Sequence, residues 1–465
     1  MNMINVRRLT VMTFLGASML SGISAQVSPL QVDTLKETKI PDQWDLQSCI
    51  DYAKEQNITI RKNRITAAST QIDVKTAKAA MFPSLSFSTG QQVVNRPYQE
   101  TSSRVSGSEI ISSNSKTSYN GNYGLNASWT LYNGNKRVKT IQQEKLNNQM
   151  AELDVATSEN NIQESIAQVY IQILYAAESV KVNENTLQVS IAQRDRGQEL
   201  LNAGSIAKSD LAQLEAQVST DRYQLVTAQA TLEDYKLQLK QLLELDGENE
   251  MNIYLPALSD ENVLAPLPTK RDVYISALSL RPEIEASKLN VEASELGINI
   301  AKSSYFPTIS LSAGIGTNHT SGSDFTFGEQ VKNGWNNSIG LSVSVPIFNN
   351  RQTKSAVQKA KLQYETSMLS LLDEQKALYK TIESLWLDAN SAQQRYAAAN
   401  EKLKSTQISY ELISEQFNLG MKNTVELLTE KNNLLQAQQE QLQAKYMAIL
   451  NTQLLKFYQG DQLAL

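Results

Sequence analysis

The chain has 465 residues, a formal net charge of −5 at pH 7, one cysteine and one histidine. This balanced, mildly acidic charge gives no reason to expect nucleic acid as a partner. The lone Cys49 excludes an internal disulfide, and the lone His319 cannot anchor a histidine-based metal site or a Ser-His dyad within one chain. We interpret Cys49 as a small apolar residue of the first helix and His319 as a loop residue.

The sequence also lacks the motifs of common catalytic sites. It shows no nucleophile–base–acid set, no glycine-rich phosphate loop and no cluster of metal ligands. Scattered Asp and Glu residues on helix faces do not make a catalytic pair without a defined geometry. We therefore expect a protein that is not an enzyme and that needs no cofactor and no metal.

The N-terminus predicts a secretory signal peptide over residues 1–25. Arg7 and Arg8 form a basic segment, an apolar run follows to Leu20, and Ile23-Ser24-Ala25 resembles a signal-peptidase site. The apolar run is shorter than the roughly 18 residues that a membrane anchor needs. We expect the mature chain to leave the cytoplasm, and later stretches are too polar for a transmembrane helix. The protein is then either soluble or enters a membrane as β-strands, whose signal is weaker.

The rest of the chain is a duplication. Residues 77–86 return as residues 301–310, so that Pro83 corresponds to Pro307. Residues 129–134 return as residues 345–350, and residues 200–204 return as residues 416–420. The difference in residue number is the same for these two pairs. Each unit is far longer than the roughly 20–50 residues of a solenoid repeat. The pattern indicates a duplicated domain rather than a repeat array.

We place the first repeat at residues 26–245. It is predicted to contain a helix over residues 46–80, strands over 83–94 and 119–132, and helices over 135–202 and 207–245. The strands alternate between apolar and polar residues, as Leu85 and Phe87 do against their serine neighbours. The long helix carries a heptad seam and ends before Gly204. Residues 95–118 read as a long exposed loop.

Residues 246–270, which contain three prolines, are predicted to form a linker or equatorial segment between the repeats. The second repeat covers residues 271–465. It is predicted to contain a helix over residues 271–304, strands over 308–316 and 337–346, and helices over 352–417 and 422–458, with a polar loop over 317–336. Pro282 marks an early kink or boundary in the first of these helices.

Four alternating strands cannot close a barrel, because open strand edges are not tolerated in the hydrocarbon core of a bilayer and bacterial barrels begin at about 8 strands. If the strands span a membrane, several chains must share them. Aromatic residues at the strand ends fit the interface belts of such barrels; they are Phe82, Tyr132, Phe306 and Phe348. The alternatives are a soluble β-sandwich fragment for the strands and a plain soluble coiled coil for the helices.

On these features the chain resembles a bacterial outer-membrane efflux factor of the TolC type over about residues 42–460. The resemblance rests on residues 44–50, the duplicated Phe-Pro openings, the duplicated motif after the second strand, and the tips Ala203-Gly204-Ser205 and Leu419-Gly420-Met421. It implies a mainly α-helical homotrimer in the outer membrane of a Gram-negative bacterium. Four strands from each chain would make a 12-stranded β-barrel, continued by a 12-helix periplasmic α-barrel.

The resemblance also assigns roles at the periplasmic tip. It implies a constriction ring at Glu426, where crowded carboxylates favour cations and raise one another's pKa. It implies a latch between neighbouring tips at Asp210 and Lys422, and adaptor docking at the tip turns of Gly204 and Gly420. Thr429 stands where a second carboxylate ring can occur, and Phe417 where a tyrosine can form a hydrogen bond. The alternative for each charge is a solvated helix face.

The leading hypothesis is therefore a passive exit duct of a tripartite efflux or type I secretion system. Its expected partners are a periplasmic adaptor protein, an inner-membrane pump of the RND or ABC type, and outer-membrane lipid. The rival hypothesis is a non-pore extracytoplasmic coiled-coil scaffold or adhesin, which shares the heptads but does not need paired amphipathic strands in each half.

Overall fold

The computed structural model describes residues 41–98, 102–106, 109–113, 116–246, 251–256, 263–321, 323 and 325–464. Contacts along the chain separate residues 1–42 from residues 43–465 as two units. The predicted signal peptide, residues 1–25, lies outside the described residues. Of the first unit only residues 41 and 42 are described, so the fold that follows is that of the second unit.

The first half of the chain supplies four helices and four strands to the part that the structure describes. The helices are α1 (Leu46–Gln56), α2 (Ile58–Ala79), α3 (Lys136–Asn202) and α4 (Lys208–Leu242). The strands are β1 (Ser84–Asn95), β2 (Ser102–Ser106), β3 (Glu109–Ser113) and β4 (Thr117–Asn133).

Among the described elements, the second half repeats the order of the helices and of β1 and β4, with one further helix in the place of the β2–β3 hairpin. Its helices are α5 (Lys270–Leu280), α6 (Pro282–Ser303), α7 (Phe327–Asn333), α8 (Gln352–Asn418) and α9 (Thr424–Gln459), and its strands are β5 (Thr308–Thr320) and β6 (Asn336–Ser344). The shift that relates Pro83 to Pro307 also relates α1 and α2 to α5 and α6. The shift that relates Gly204 to Gly420 also relates α3 and α4 to α8 and α9. The duplication of the sequence is thus a duplication of elements.

The prediction of a single helix over residues 46–80 is wrong, because the helix breaks at Asn57. This residue has φ −59° and ψ 126°. Its side-chain oxygen accepts from the backbone N–H of Thr59 at 2.9 Å, and its side-chain nitrogen donates to the carbonyl of Leu242 at 3.0 Å. Asn57 therefore caps α2 and ties it to the end of α4. Its counterpart in the second half is Arg281, which precedes Pro282.

The two predicted loops also contain regular structure. Within residues 95–118, β2 and β3 pair as an antiparallel hairpin. Within residues 317–336, β5 continues to Thr320 and α7 forms behind a capping box between Thr326 and Glu329. Strand β6 ends at Ser344, two residues before the predicted end. These elements are rich in polar residues, so the spacing of apolar residues along the sequence does not reveal them.

His319 lies in strand β5 and not in a loop. Its ring packs against three aromatic rings, those of Tyr119 and Tyr123 in β4 and of Phe327 in α7. It is buried in this aromatic group. Cys49 is buried in α1, as expected of a small apolar residue.

Strands β1, β4, β5 and β6 form one antiparallel sheet in that order. The register places apolar residues opposite apolar residues: Phe87 faces Leu125, Trp129 faces Leu311, and the same Leu311 faces Leu341. Ser, Asn and Gly residues occupy the other face. Because side chains alternate along a strand, this register gives the whole sheet one apolar and one polar face.

The edges of this sheet are open in the single chain. Among the described strands, β1 and β6 each pair along one side only, and the separate β2–β3 hairpin does not cover them. The pairing of β4 with β5 joins the two halves, although helices α3, α4, α5 and α6 all lie between these strands in the chain. The chain therefore has two open edges rather than four.

Two helices of 67 residues, α3 and α8, run through the helical part. At about 1.5 Å per residue, each is about 100 Å long. Helix α3 packs against α2 and α6 along one part of its length and against α4 and α9 along another, and α8 packs against α6 and α9. Among the described residues, no helix combines the length and the apolar character needed to cross a membrane.

A hydrophobic core lies where the inter-repeat segment meets the long helices. Trp44 pairs with Ile253 in a parallel β-bridge, and the Tyr170 hydroxyl donates to the carbonyl of Tyr254 at 2.6 Å. Trp44 and Tyr170 are both almost fully buried. Further along, the side chain of Gln393 donates to the carbonyls of Val263 and Ala265. Described parts of residues 246–270 are therefore packed onto α3 and α8 rather than forming a free linker.

We expect Asn57→Ala to destabilise the protein by about 1–2 kcal/mol, because it removes both a helix cap and the bond to Leu242. Thermal unfolding followed by circular dichroism measures the effect. Lys75→Ala, an exposed change on the same helix, is the matched control and should leave the transition unchanged. Equal transitions for both variants would show that the break at Asn57 does not stabilise the fold.

Candidate functional site

The two tip turns have the same backbone structure. Gly204 and Gly420 have φ of +75° and +74°, and each follows the end of a long helix. The next residues, Ser205 and Met421, donate backbone hydrogen bonds of 2.8 Å to the carbonyls of Leu200 and Gln416. This is the Schellman motif, in which the left-handed residue favours glycine. A Cβ atom at either position would meet open space, so the backbone conformation and not packing requires glycine.

Asp210 and Glu426 occupy equivalent positions of the two repeats, in the first turns of α4 and α9. The Asp210 carboxylate accepts from the backbone N–H of Ala207 at 3.0 Å. Glu426 accepts from the backbone N–H of Asn423 at 3.3 Å, and the Asn423 side chain accepts in return from the N–H of Glu426 at 2.9 Å. Within one chain, both acidic residues therefore cap the helix that follows the tip.

Lys422 pairs with Glu426 rather than with Asp210 in the single chain. Its amine lies 2.6 Å from the Glu426 carboxylate, and both side chains are half-exposed. The hydrogen bond from Lys422, helped by the one from the Asn423 backbone, lowers the pKa of Glu426. The crowding that would raise this pKa needs carboxylates of other chains. The side chain is thus ionised near neutral pH in the single chain.

Phe417 lies at the base of the second tip and is buried. It packs with Leu214 of α4 and Leu427 of α9. This apolar contact takes the place of the hydrogen bond that a tyrosine could make there. It brings the first and second halves of the chain into direct contact close to the tips.

The four predicted interface aromatics all lie at one end of the sheet, where the strands meet the helices. Phe82, Phe306 and Phe348 are exposed, and Tyr132 is half-buried. Sequence reasoning missed a second set of exposed aromatic residues at the other end of the sheet, beyond the strands; they are Tyr98, Phe325, Phe327 and Trp335. The two sets flank the apolar face on both sides, as interface belts do.

A buried ion pair between the two halves was also missed. Lys431 of α9 donates hydrogen bonds to Asp221 of α4 and to Ser190 of α3, and Ser190 donates to the same carboxylate oxygen. Gln217 donates to the other oxygen of Asp221 at 2.9 Å. The side chains of Lys431 and Asp221 are 3% and 2% exposed. We name Ser190, Asp221 and Lys431 the seam cluster.

The seam cluster did leave a signal in the sequence. Asp221 continues the spacing of buried Leu211, Leu214 and Val218, and Lys431 lies between buried Leu427 and Leu434. A charged residue at an apolar seam position must be paired when it is buried. Burial lowers the pKa of Lys431, while the hydrogen bond and charge of Asp221 act in the opposite direction.

A second buried charge group lies between α3, α6 and the end of α9. Arg281 donates to Glu164 and to Glu283, both at 2.8 Å, and its guanidinium lies 4.0 Å from the ring centre of Tyr458. Burial raises the pKa of Glu164, and the bond from Arg281 opposes this effect. Within the described ranges, no group of three or more His, Cys, Asp or Glu residues is arranged to hold a metal ion.

Comparison with known proteins identifies relatives of both halves. The family described as "Outer membrane efflux protein" matches residues 49–244 and 273–460. The chain is similar to outer membrane efflux protein BepC of Brucella suis, with 24% identity over 294 residues, which cover 63% of this chain and 61% of that protein. It is similar to outer membrane protein TolC of Escherichia coli, with 24% identity over 324 residues, covering 68% and 64%. The chain thus spans less than two thirds of the length of these curated relatives.

The fold has close structural neighbours as well. A crystal structure of CusC superimposes with a TM-score of 0.76 at 19% identity. The match covers 90% of this chain and 92% of that one. At this identity the likeness shows the fold alone. It confirms the predicted fold class, and the family match confirms the resemblance seen in the sequence.

We expect Lys431→Met to destabilise the protein by about 3–5 kcal/mol, because it leaves the Asp221 carboxylate buried without its counter-charge. Adding Asp221→Leu to the same chain should recover much of this loss, since both charges are then gone. Thermal unfolding of the single and double variants measures the coupling. Lys402→Met, which breaks an exposed pair with Glu440, is the control and should cost less than about 1 kcal/mol. Equal losses for Lys431→Met and Lys402→Met would contradict the pairing.

Proposed function

Because the chain belongs to the outer membrane efflux protein family, we propose that it is the exit duct of a tripartite efflux or type I secretion system. Located in the outer membrane of a Gram-negative bacterium, with a long periplasmic extension, it passes substrate outward without catalysis, and an inner-membrane pump supplies the energy. One observation carries the proposal: among the described elements, a single chain joins a sheet with one apolar face and two open edges to two long helical hairpins.

The sheet explains both the membrane contact and the need for several chains. Its apolar face is suited to lipid, and its polar face to a water-filled lumen. In lipid, the open edges of β1 and β6 must be paired. Because β1 runs antiparallel to β6, the β6 edge of one chain can continue antiparallel into the β1 edge of the next. Three chains then give the 12-stranded barrel that the family resemblance implies.

The duplication indicates which helices meet between chains. Within one chain, α3 packs against α6 and α9. Helix α8 is the counterpart of α3, and α2 and α4 are the counterparts of α6 and α9. In a closed ring of alternating halves, α8 of one chain therefore packs against α2 and α4 of the neighbouring chain.

Exposed apolar side chains lie where this contact requires them. Helix α2 exposes three isoleucines seven residues apart, Ile58, Ile65 and Ile72. The facing part of α8 exposes a second stripe at heptad spacing, formed by Leu362, Leu369, Leu372 and Tyr379. Both stripes would remain in water in an isolated chain, and a second copy of the chain buries them.

A groove between α8 and α9 belongs to the same contact and lies closer to the tip than the apolar stripe of α8. It has a volume of about 540 Å³, and Ser391, Ala398 and Asn451 are among its lining residues. The counterparts of these three in the first half are larger: Tyr175, Val182 and Tyr235. The second half therefore leaves space where the first half is filled. Exposed side chains of α4 match this space in size, namely Tyr223, Val226 and Leu237.

The tips provide the gate in this proposal. Glu426 of each chain forms the constriction ring, and Asp210 and Lys422 latch neighbouring tips. The adaptor protein docks at the turns of Gly204 and Gly420, which are both exposed. The half-exposed pair of Lys422 with Glu426 supports a tip whose charges can exchange partners when neighbouring chains approach or separate.

We expect the purified protein to form small, cation-preferring channels in planar bilayers. Glu426→Gln should enlarge the conductance and weaken the preference for cations, because it removes the charge of the constriction ring. Single-channel recording with ion-selectivity measurement tests both effects, and Glu233→Gln, far from the tip on α4, is the control. An unchanged Glu426→Gln channel would remove the gate assignment, whereas a wild-type protein without channels would overturn the duct itself.

We expect Ile65→Glu to prevent assembly, because a charge then lies in the contact between α2 and α8. Ile65→Leu keeps the apolar surface and should assemble normally. Size-exclusion chromatography in detergent with light scattering measures the number of chains. A wild-type protein that is a stable monomer in buffer without detergent would instead favour the coiled-coil scaffold or adhesin, which has no use for an apolar sheet face.

A further inference from the structure

The helices that face a neighbouring chain in the proposed ring carry charges without a counter-charge in their own chain. We propose, on the basis of the proposed function, that two ion pairs join each chain to the next. Lys62 of α2 binds Asp373 of the neighbour's α8, and Glu244, just after α4, binds Lys380 of the same α8. The partner is a second copy of this chain, and each pair is complete only when that copy contributes its residue.

A groove inside the chain shows which positions face each other at this level. It has a volume of about 520 Å³ and lies between α2, α3, α6 and α8. Ala286 of α6 and Thr157 of α3 both line it. The shifts that relate the two halves also relate Ala286 to Lys62 and Thr157 to Asp373. Where one chain meets the next, a lysine and an aspartate therefore face each other in place of two small side chains.

Both charges lie on the helix faces that the contact between chains covers. Lys62 follows the exposed Ile58 by four residues, and Asp373 follows the exposed Leu369 by four residues, so each charge shares a face with its apolar stripe. The two charged residues are themselves exposed. Within the described residues, neither side chain takes part in a salt bridge. The approach of a neighbouring chain brings their opposite charges together.

The second pair has a counterpart that is formed inside the chain. Arg281, between α5 and α6, donates to Glu164 of α3 at 2.8 Å. The shifts that relate the halves also relate Glu164 to Lys380 and Arg281 to Asn57. Lys380 of one chain therefore approaches Asn57 of the next chain, and Asn57 carries no charge.

Glu244 supplies the missing negative charge. Its carboxylate accepts from the backbone N–H of Ile58 at 3.2 Å, so it lies beside Asn57. Its φ is +57°, whereas its counterpart in the second half is Gly460, with φ +107°. A glutamate in this left-handed conformation is uncommon, which agrees with a requirement for its carboxylate. The contact between chains thus has the base on the long helix and the acid beside it, the reverse of the arrangement inside the chain.

The order of the charges selects one register and one kind of contact. Helix α2 ends at the sheet and α8 begins there, so the two run antiparallel. From the sheet towards the tip, one side presents Lys62 and then Glu244, and α8 presents Asp373 and then Lys380. Because all chains enter the membrane in one direction, a contact of α8 with another α8 would place like charges together. The charges therefore favour the head-to-tail contact that closes a ring.

Cysteine pairs test the first contact directly. A short bifunctional maleimide should link Lys62→Cys with Asp373→Cys between chains, so that denaturing gels show two and three joined chains. Arg64→Cys with Glu159→Cys is the matched control, because this salt bridge of 2.8 Å lies within one chain. Its link should leave single chains on the gel. Cys49 is fully buried and does not compete.

The pair Glu244→Cys with Lys380→Cys should link chains in the same way. In a protein that light scattering shows to be assembled, failure of either pair to link chains overturns the inference, and so does a link within one chain. A wild-type protein that does not assemble would overturn the proposed function instead, so the two failures are distinguishable.

Charge exchange gives a second readout. Lys62→Glu should lower the temperature at which the assembly dissociates by several degrees, because two carboxylates then face each other. Adding Asp373→Lys to the same chain should restore the wild-type temperature. Lys288→Glu is the control, since this exposed lysine pairs with Glu285 on α6 inside the chain, and it should leave the temperature unchanged. Wild-type dissociation of Lys62→Glu, an exchanged variant that is no more stable than Lys62→Glu, or an equal loss in the control would overturn the pairing.

Discussion

A β-strand in hydrocarbon must have its backbone N–H and C=O groups paired, and this constraint governs the rest of the structure. The sheet of four strands has one apolar face, so lipid is a suitable environment for it, but β1 and β6 remain open. A single chain cannot satisfy both demands. Assembly is therefore a condition for entering the membrane. The helices that follow the strands must be arranged so that each chain meets its neighbours in the same way.

The duplication provides that arrangement. Because the two halves share their elements, the contact between halves inside a chain is the template for the contact between chains in the proposed assembly. The contact inside a chain and the proposed contact between chains differ in their side chains, however. Inside the chain, Lys431, Asp221 and Ser190 are buried together, whereas between chains their counterparts are Glu215, Ala437 and Thr406. In the proposed ring, the duplication gives nearly equal units, and the divergence of these side chains makes the contacts within and between chains unequal.

Particular residues show how far sequence patterns reach. The heptad seam predicted the first long helix. The break at Asn57 in the predicted helix over residues 46–80 was not predicted, because a single asparagine within a helical stretch does not by itself indicate a break. The equivalence of Asn57 with Arg281 before Pro282 would have revealed it. Likewise, Asp221 and Lys431 stand at seam positions of their helices. Only the packing of three helices shows that the two side chains form an ion pair. The tip residues Asp210 and Glu426 were found by resemblance, and their capping bonds needed backbone geometry.

The sequence alone determined the duplicated order of helices and strands, the two faces of each strand and the glycines of the tips. These depend on periodicity and on local backbone preference, which neighbouring residues encode. The tertiary structure decided that β4 pairs with β5, that Lys431 is buried against Asp221, and that Trp44 bridges to Ile253. Those contacts join residues far apart in the chain, and their partners are selected by the packing of whole elements rather than by any local pattern.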